Sequence, residues 1–218
     1  MTGFTGSPRL IRAGLVLMAP DSGAVERIIT LQYAPETLSR QIEAQAIEDE
    51  PNRSQPLRLT GPAVETITLE AAIDATDQLE FPDKNQAATE TGIFPALSAL
   101  ETMLHPTTAQ LERQNAQASA GSFTITPAET PLAIFVWSAH RVVPVRLTSL
   151  QITEEFFDPN LNPIRAKVSL SLRVLSVDDL GFNHRGSGLF MAYLQAKEQL
   201  AGRSIGGTLE ALGAGGLA

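Results

Sequence analysis

Between residues 165 and 174 apolar and polar side chains alternate without a break. Ala166, Val168, Leu170, Leu172 and Val174 share one phase, and Arg165, Lys167, Ser169, Ser171 and Arg173 share the other. A period of two marks a strand with one buried face. Upstream, Val143, Val145 and Leu147 keep one phase while Leu150 and Ile152 keep the opposite one. A switch of phase inside one strand predicts a β-bulge near Thr148-Ser149, where an extra residue rotates the faces. The segment Asp158-Pro159-Asn160-Leu161-Asn162-Pro163 between the two runs is dense in turn residues. The apolar run Pro131-Leu132-Ala133-Ile134-Phe135-Val136-Trp137 adds a third strand. Residues 131–177 therefore read as three strands and two turns.

The same pattern continues toward the N-terminus. Residues 10–18 are apolar enough for a strand, Asp21-Ser22-Gly23 signals a turn, and Ile29, Leu31 and Tyr33 alternate with Thr30 and Gln32. Together they predict a hairpin, closed by Ala34-Pro35. Residues 40–55 are polar and acidic and read as a loop bounded by Pro51 and Pro56. Ile67, Leu69, Ala71 and Ile73 alternate with Thr66, Thr68, Glu70 and Asp74, predicting a further strand. The period then changes: Ile93, Leu97, Leu100 and Leu104 share one helical face, with Pro95 in the first turn and Pro106 beyond the end. Residues 105–130 hold few large apolar side chains and read as a long loop, a candidate contact arm. Residues 178–188 read as a linker, and Leu189, Phe190, Tyr193, Leu194 and Leu200 as a short amphipathic helix. A loose arm over residues 1–8 and a glycine-rich tail after Gly206 complete the chain. The expectation is a mainly β fold with minor α content, divided into residues 1–178 and a C-terminal helix and tail over 179–218.

Composition narrows what such a fold does. At 218 residues a core forms without disulfides or metal, and no cysteine is present, which excludes thiolate catalysis and cysteine zinc sites. The net charge of -8, with no basic run, argues against nucleic acid and anionic membranes as partners. Charged residues make up 18% of the chain, below the usual level of about 25%, which suits a subunit that buries much of its surface. The N-terminus lacks a cationic region followed by a long apolar one, and no apolar run reaches the roughly 20 residues of a membrane span. The expectation is a soluble, cytoplasmic protein without membrane insertion.

Candidate chemistry is sparse. His105, His140 and His184 show no metal-ligand spacing. Asp158-Pro159-Asn160-Leu161-Asn162 starts like a calcium loop, but Pro163 stands where glycine is needed and Ser169 where a bidentate glutamate belongs. The acid pairs Asp74 with Asp77, Glu154 with Glu155, and Asp178 with Asp179 lack a nucleophile or an oriented base. The glycines of residues 181–188 lack the lysine and hydroxyl of a phosphate loop. The expectation is no catalytic residue, no cofactor and no metal. Trp137, Phe156 and Phe157 read first as core aromatics. If both phenylalanines lie on a strand, one faces outward and becomes a candidate interface anchor.

Several blocks resemble contractile injection system tube-type proteins, the phage-tail-like baseplate and tube adaptors. Tyr33-Ala34-Pro35-Glu36-Thr37-Leu38 resembles their aromatic-Asn-Pro-Glu element, with Ala34 in place of the asparagine. Asp74-Ala75-Thr76-Asp77 resembles a strand end of that family, and Gly92-Ile93-Phe94-Pro95-Ala96-Leu97 a helix start. Pro131 to Trp137 and Phe156 to Ala166 resemble its two most recognisable blocks. The resemblance implies a tail-tube-like bent antiparallel β-sandwich or split barrel with a flanking helix. It also implies a structural adaptor forming a hexameric ring that joins the inner tube to the spike hub. The LysM module that follows in many members has no counterpart here. Phe156, Phe157, Arg165, Lys167 and Arg173 are the candidate subunit-interface residues. The alternatives are the inner-tube subunit of the same particle, or a small-ligand-binding β-barrel.

Overall fold

The computed structural model describes residues 13–19, 22–31, 35, 37–46, 58–119, 130–204 and 206. Seven strands form one antiparallel sheet: β1 (Gly14–Met18), β2 (Val25–Thr30), β3 (Leu38–Glu43), β4 (Val64–Asp74), β5 (Leu132–Ser138), β6 (Arg141–Phe157) and β7 (Pro163–Val174). Their order is β2-β1-β5-β6-β7-β4-β3. The protein is mainly β, as the alternation predicts, and the sheet does not close on itself. Helices α1 (Thr76–Leu79), α2 (Gln86–Thr91) and α3 (Phe94–Glu101) follow β4, α4 (Thr108–Ser119) precedes β5, and α5 (Val177–Leu180) and α6 (Arg185–Ala201) follow β7.

The long β6–β7 hairpin is the spine. Ala166, Val168, Leu170, Leu172 and Val174 are all buried, facing the core as their alternation requires. The register between β6 and β7 slips between Leu147 and Ser149, and the hydroxyl of the extra residue, Thr148, donates to the Ser171 carbonyl at 3.0 Å. The bulge turns the strand so that Val143, Val145 and Leu147 before it and Leu150 and Ile152 after it reach one core. Leu15, Leu31, Ile67, Leu69 and Phe135 extend that core across the sheet. Trp137 packs half-buried at its margin, its ring 5.9 Å from that of Phe135.

Helices cover the buried face. The α3 helix ends before the predicted face does: Ile93, Leu97 and Leu100 are buried, but Leu104 lies beyond its end and is exposed. It is seated by the Ile93 N–H, which donates to the Pro163 carbonyl at 2.9 Å. Gly92 makes that approach possible, with a φ of 58° and space for no Cβ beside the Pro163 oxygen. Phe190 and Tyr193 of α6 enter the same core as the strands.

Three expectations are corrected. Residues 38–43, within and beside the expected acidic loop, form the edge strand β3, whose pairing with β4 supplies the backbone partners that its polar side chains do not advertise. Residues 108–119, read as loop, form α4; none of its residues is buried, so it lacks the apolar stripe by which a helix is read. The expected linker after residue 177 contains α5, opened by a capping box in which Ser176 and Asp179 exchange hydrogen bonds, and α6 begins at Arg185. The expected arm over 1–8, Gln32 and Tyr33, residues 47–55, residues 120–129 and the glycine-rich tail from 207 lie outside the described residues.

Candidate assembly surface

The distal half of β6 differs from the rest of the sheet. β5 pairs with β6 only as far as Ala133 opposite Val145, whereas β7 accompanies β6 to Phe157 opposite Pro163. Among the described residues, β6 beyond Leu147 therefore has a strand neighbour on one side only. A bare strand edge offers unpaired backbone donors and acceptors to another chain. Among the described residues, the outer sides of β2 and β3, the first and last strands of the sheet, have no strand neighbour either.

The hairpin end carries apolar side chains into solvent. Phe156 is 68% exposed, Phe157 49% and Leu161 76%. The core reading of the two phenylalanines is thus corrected, and both rings face outward rather than one. The reason is local. Phe156 has a φ of 54°, which interrupts the alternation that would place neighbouring side chains on opposite faces. Among the described residues, Leu161, with a φ of 64°, is the second non-glycine residue in the left-handed region. Large side chains rarely adopt it, at a cost of roughly 1–2 kcal/mol each.

Asp158 holds the turn in this shape. One oxygen accepts from the backbone N–H groups of Asn160 and Asn162, both at 2.8 Å, and the other accepts from the Asn162 amide at 2.8 Å. These hydrogen bonds, the Asn162 side chain's first, hold its carboxyl below the usual aspartate range against the opposing effect of desolvation. The carboxylate is thus engaged in turn contacts, as the turn reading expects. Asn162 also donates to the Glu90 carbonyl at 3.0 Å, so the turn is braced against α2.

The three cations on β7 are paired within the chain. Lys167 meets Glu155 at 2.9 Å, Arg173 meets Asp179 at 2.8 Å, and Arg165 lies 3.8 Å from Glu155 and 3.9 Å from Asp74. The candidate interface residues Arg165, Lys167 and Arg173 thus form a strip of matched charges. Exposed pairs of this kind contribute about 0–1 kcal/mol each, and they leave the two phenylalanines as the more distinctive feature of the hairpin.

A second cluster is absent from the sequence reading. Glu65, on the core side of β4, is 4% exposed. It accepts from Arg40 Nε of β3 at 2.6 Å, from Lys197 Nζ of α6 at 2.8 Å and from the Tyr193 hydroxyl at 3.2 Å. Lys197 also stands over the Tyr193 ring, 4.0 Å from its centre. Burial pushes the Glu65 carboxyl up, but hydrogen bonds from Arg40 and Lys197 and their charges prevail, and it lies below the usual glutamate range. The hydrogen bond to Glu65 correspondingly raises the Arg40 guanidinium, against its partial burial. The three elements that build the cluster are far apart in sequence, so no local pattern announces it.

Three of the remaining candidates take structural places. His184 caps α6, its Nδ1 accepting from the Gly186 N–H at 3.1 Å. Asp179 belongs to the α5 capping box, and Asp74 accepts from the Thr76 N–H at 2.7 Å at the end of β4. No group of three or more potential metal ligands occurs among the described residues. A groove of about 580 Å³ opens between the ends of α3 and α5, with Leu17, Ala133, Val145 and Leu147 on its floor. No described helix is long and apolar enough to cross a membrane.

No family model matches the chain, and no curated protein matches it. Among solved structures, it is similar to a chain from the tail of an empty GTA particle, computed with helical refinement and C6 symmetry. That likeness covers 75% of this chain and 90% of the other, at 14% identity and a TM-score of 0.29. At that score the likeness carries no argument.

Proposed function

We propose that the chain is a structural subunit of a contractile injection particle, an adaptor that forms a hexameric ring between the inner tube and the spike hub. The observation that supports it is the unclosed sheet with its bare strand edges, ending in an apolar hairpin tip. A head-to-tail contact between unlike edges generates a ring when the rotation closes. Exposed aromatic side chains beside such an edge are the residue type that anchors interfaces. The resemblance of the Phe156 to Ala166 block to tube-type proteins falls on this same hairpin. No catalytic step and no cofactor belong to this reading, and the particle is its site of action.

Electron microscopy and mass measurement of the purified chain test the proposal. Discrete rings with six copies support the adaptor, and long stacked tubes identify the inner-tube subunit instead. A monomer that stays monomeric in the presence of inner-tube and spike-hub proteins overturns both. The ligand-binding alternative loses its barrel, because the sheet is open.

A further inference from the structure

The α6 helix lies over β6, the middle strand of the sheet, and is tied to both outer strand pairs. At its start, Arg185 Nη1 donates to the Gly23 carbonyl in the β1–β2 turn at 2.9 Å. The turn admits the guanidinium because Gly23 has no side chain: a Cβ there would meet Arg185. The buried Gly186 packs beside Leu132 and Leu180 at the same end. Toward its other end, Tyr193 and Lys197 hold Glu65 of β4, which in turn holds Arg40 of β3. On the far side of β4, Arg173 stands opposite Thr66 but is engaged with Asp179. The two cations on Glu65 are thus those of β3 and α6.

The dimensions agree with a tie. From Arg185 to Lys197 a helix advances about 18 Å at 1.5 Å per residue. The four strand spacings from β1 to β4 span about 19 Å at roughly 4.8 Å each. An open sheet has no closing hydrogen bonds to fix its curvature, so an element fastened near both margins sets it.

We infer that α6 is a strap across the open sheet, holding the β1–β2 turn and the β3–β4 pair at a fixed separation and so fixing the angle at which the two outer edges are presented. Its N-terminal fastening is one exposed hydrogen bond with local packing, and its C-terminal fastening is the buried Glu65 cluster. Undoing either lets the margins move relative to one another while the β6–β7 spine stays folded. The strap belongs to the single chain, so its test is separate from that of the proposed assembly.

The chain has no cysteine, so Val25→Cys on β2 and Ile42→Cys on β3, both exposed positions on edge strands, give a unique spin-label pair. Labelled chain diluted into unlabelled chain is measured by pulsed electron resonance. Tyr193→Phe with Lys197→Met removes the α6 side of the Glu65 cluster and leaves Arg40 paired with it. The expected distance distribution is broader than the unmodified chain's, on the order of twofold, with amide protection of residues 165–173 unchanged. An unchanged distribution, or broadening together with loss of β7 protection, overturns the inference. If that variant does not fold, Arg185→Ala decides: its side chain is exposed and its loss spares the core. Broadening in Arg185→Ala supports the strap, and an unchanged width overturns it.

Discussion

Replacing Phe156 by asparagine separates a core role from an assembly role at one position. The residue sits at a φ of 54°, a region that asparagine tolerates far better than a large aromatic side chain. Relief of that strain favours the variant by roughly 1–2 kcal/mol. The ring is 68% exposed, so it hides about a third of its surface in the single chain. For a side chain of about 200 Å² that is on the order of 65 Å², or about 1.6 kcal/mol lost on truncation. The two effects nearly cancel, and the dissociated chain should keep its stability within about 1 kcal/mol, a shift of about 2–4 °C in Tm. A core phenylalanine such as Phe135, fully buried, would instead cost about 3–5 kcal/mol on truncation to alanine. Association should behave differently, because an interface anchor costs about 2 kcal/mol or more, roughly 30-fold in affinity. Thermal unfolding of the dissociated chain and sedimentation across a concentration series read the two quantities. A melt lowered as far as a core truncation, or association unchanged to within a few-fold, would refute the reasoning.

Three further outcomes follow from the same structure. Leu170→Ala, at a fully buried position on β7, should lower stability by about 2–5 kcal/mol in urea unfolding, and a loss below 1 kcal/mol would mean that the β7 face is not core. Gly92→Ala forces a Cβ onto the Pro163 carbonyl at positive φ, so it should cost about 2 kcal/mol or more; a Tm equal to that of the parent would contradict the seating of α3. Glu65→Gln breaks a buried charge cluster and should cost about 3 kcal/mol at pH 7. Because the folded carboxyl lies below its usual range, the contribution is complete above the usual glutamate value of about 4.3 and fades as pH falls through the lower folded value. The deficit should therefore shrink between pH 5 and pH 2, and an equal deficit at both would disprove the charge argument.

The parts of the fold legible in the sequence are those where one side chain reports one environment. The alternation of β7 gives its inward residues from Ala166 to Val174, and the change of phase after Leu147 gives the bulge. Asp158 and its asparagines give the turn. What escapes the sequence is specified elsewhere in the chain. β3 is a strand because β4 pairs with it, while its own residues are mostly exposed. Glu65 faces the core because Arg40 and Lys197, 25 residues before it and 132 after it, supply its charges. The capping box at Ser176 was readable from its Ser-x-x-Asp spacing, but its acidic residues resemble an ordinary linker. At the candidate surface, the phenylalanines were identified from residue type, while their joint exposure depends on a backbone torsion that alternation cannot express.

The single extra residue at Thr148 has a consequence for how this protein tolerates change. On either side of it, β6 obeys opposite rules for which positions face inward. Drawing Thr148 into the ladder would exchange inside for outside along the whole distal half of the strand, stranding Leu150 and Ile152 in water and turning Gln151 and Thr153 inward, whereas deleting it would leave Ser149 opposite Ser171 and Leu150 opposite Leu170. Many substitutions at Thr148 would cost only its hydrogen bond to Ser171. At this point the register of the strand is a stricter specification than its chemistry: any residue can stand out from the ladder here, but none can join it without turning the distal half over.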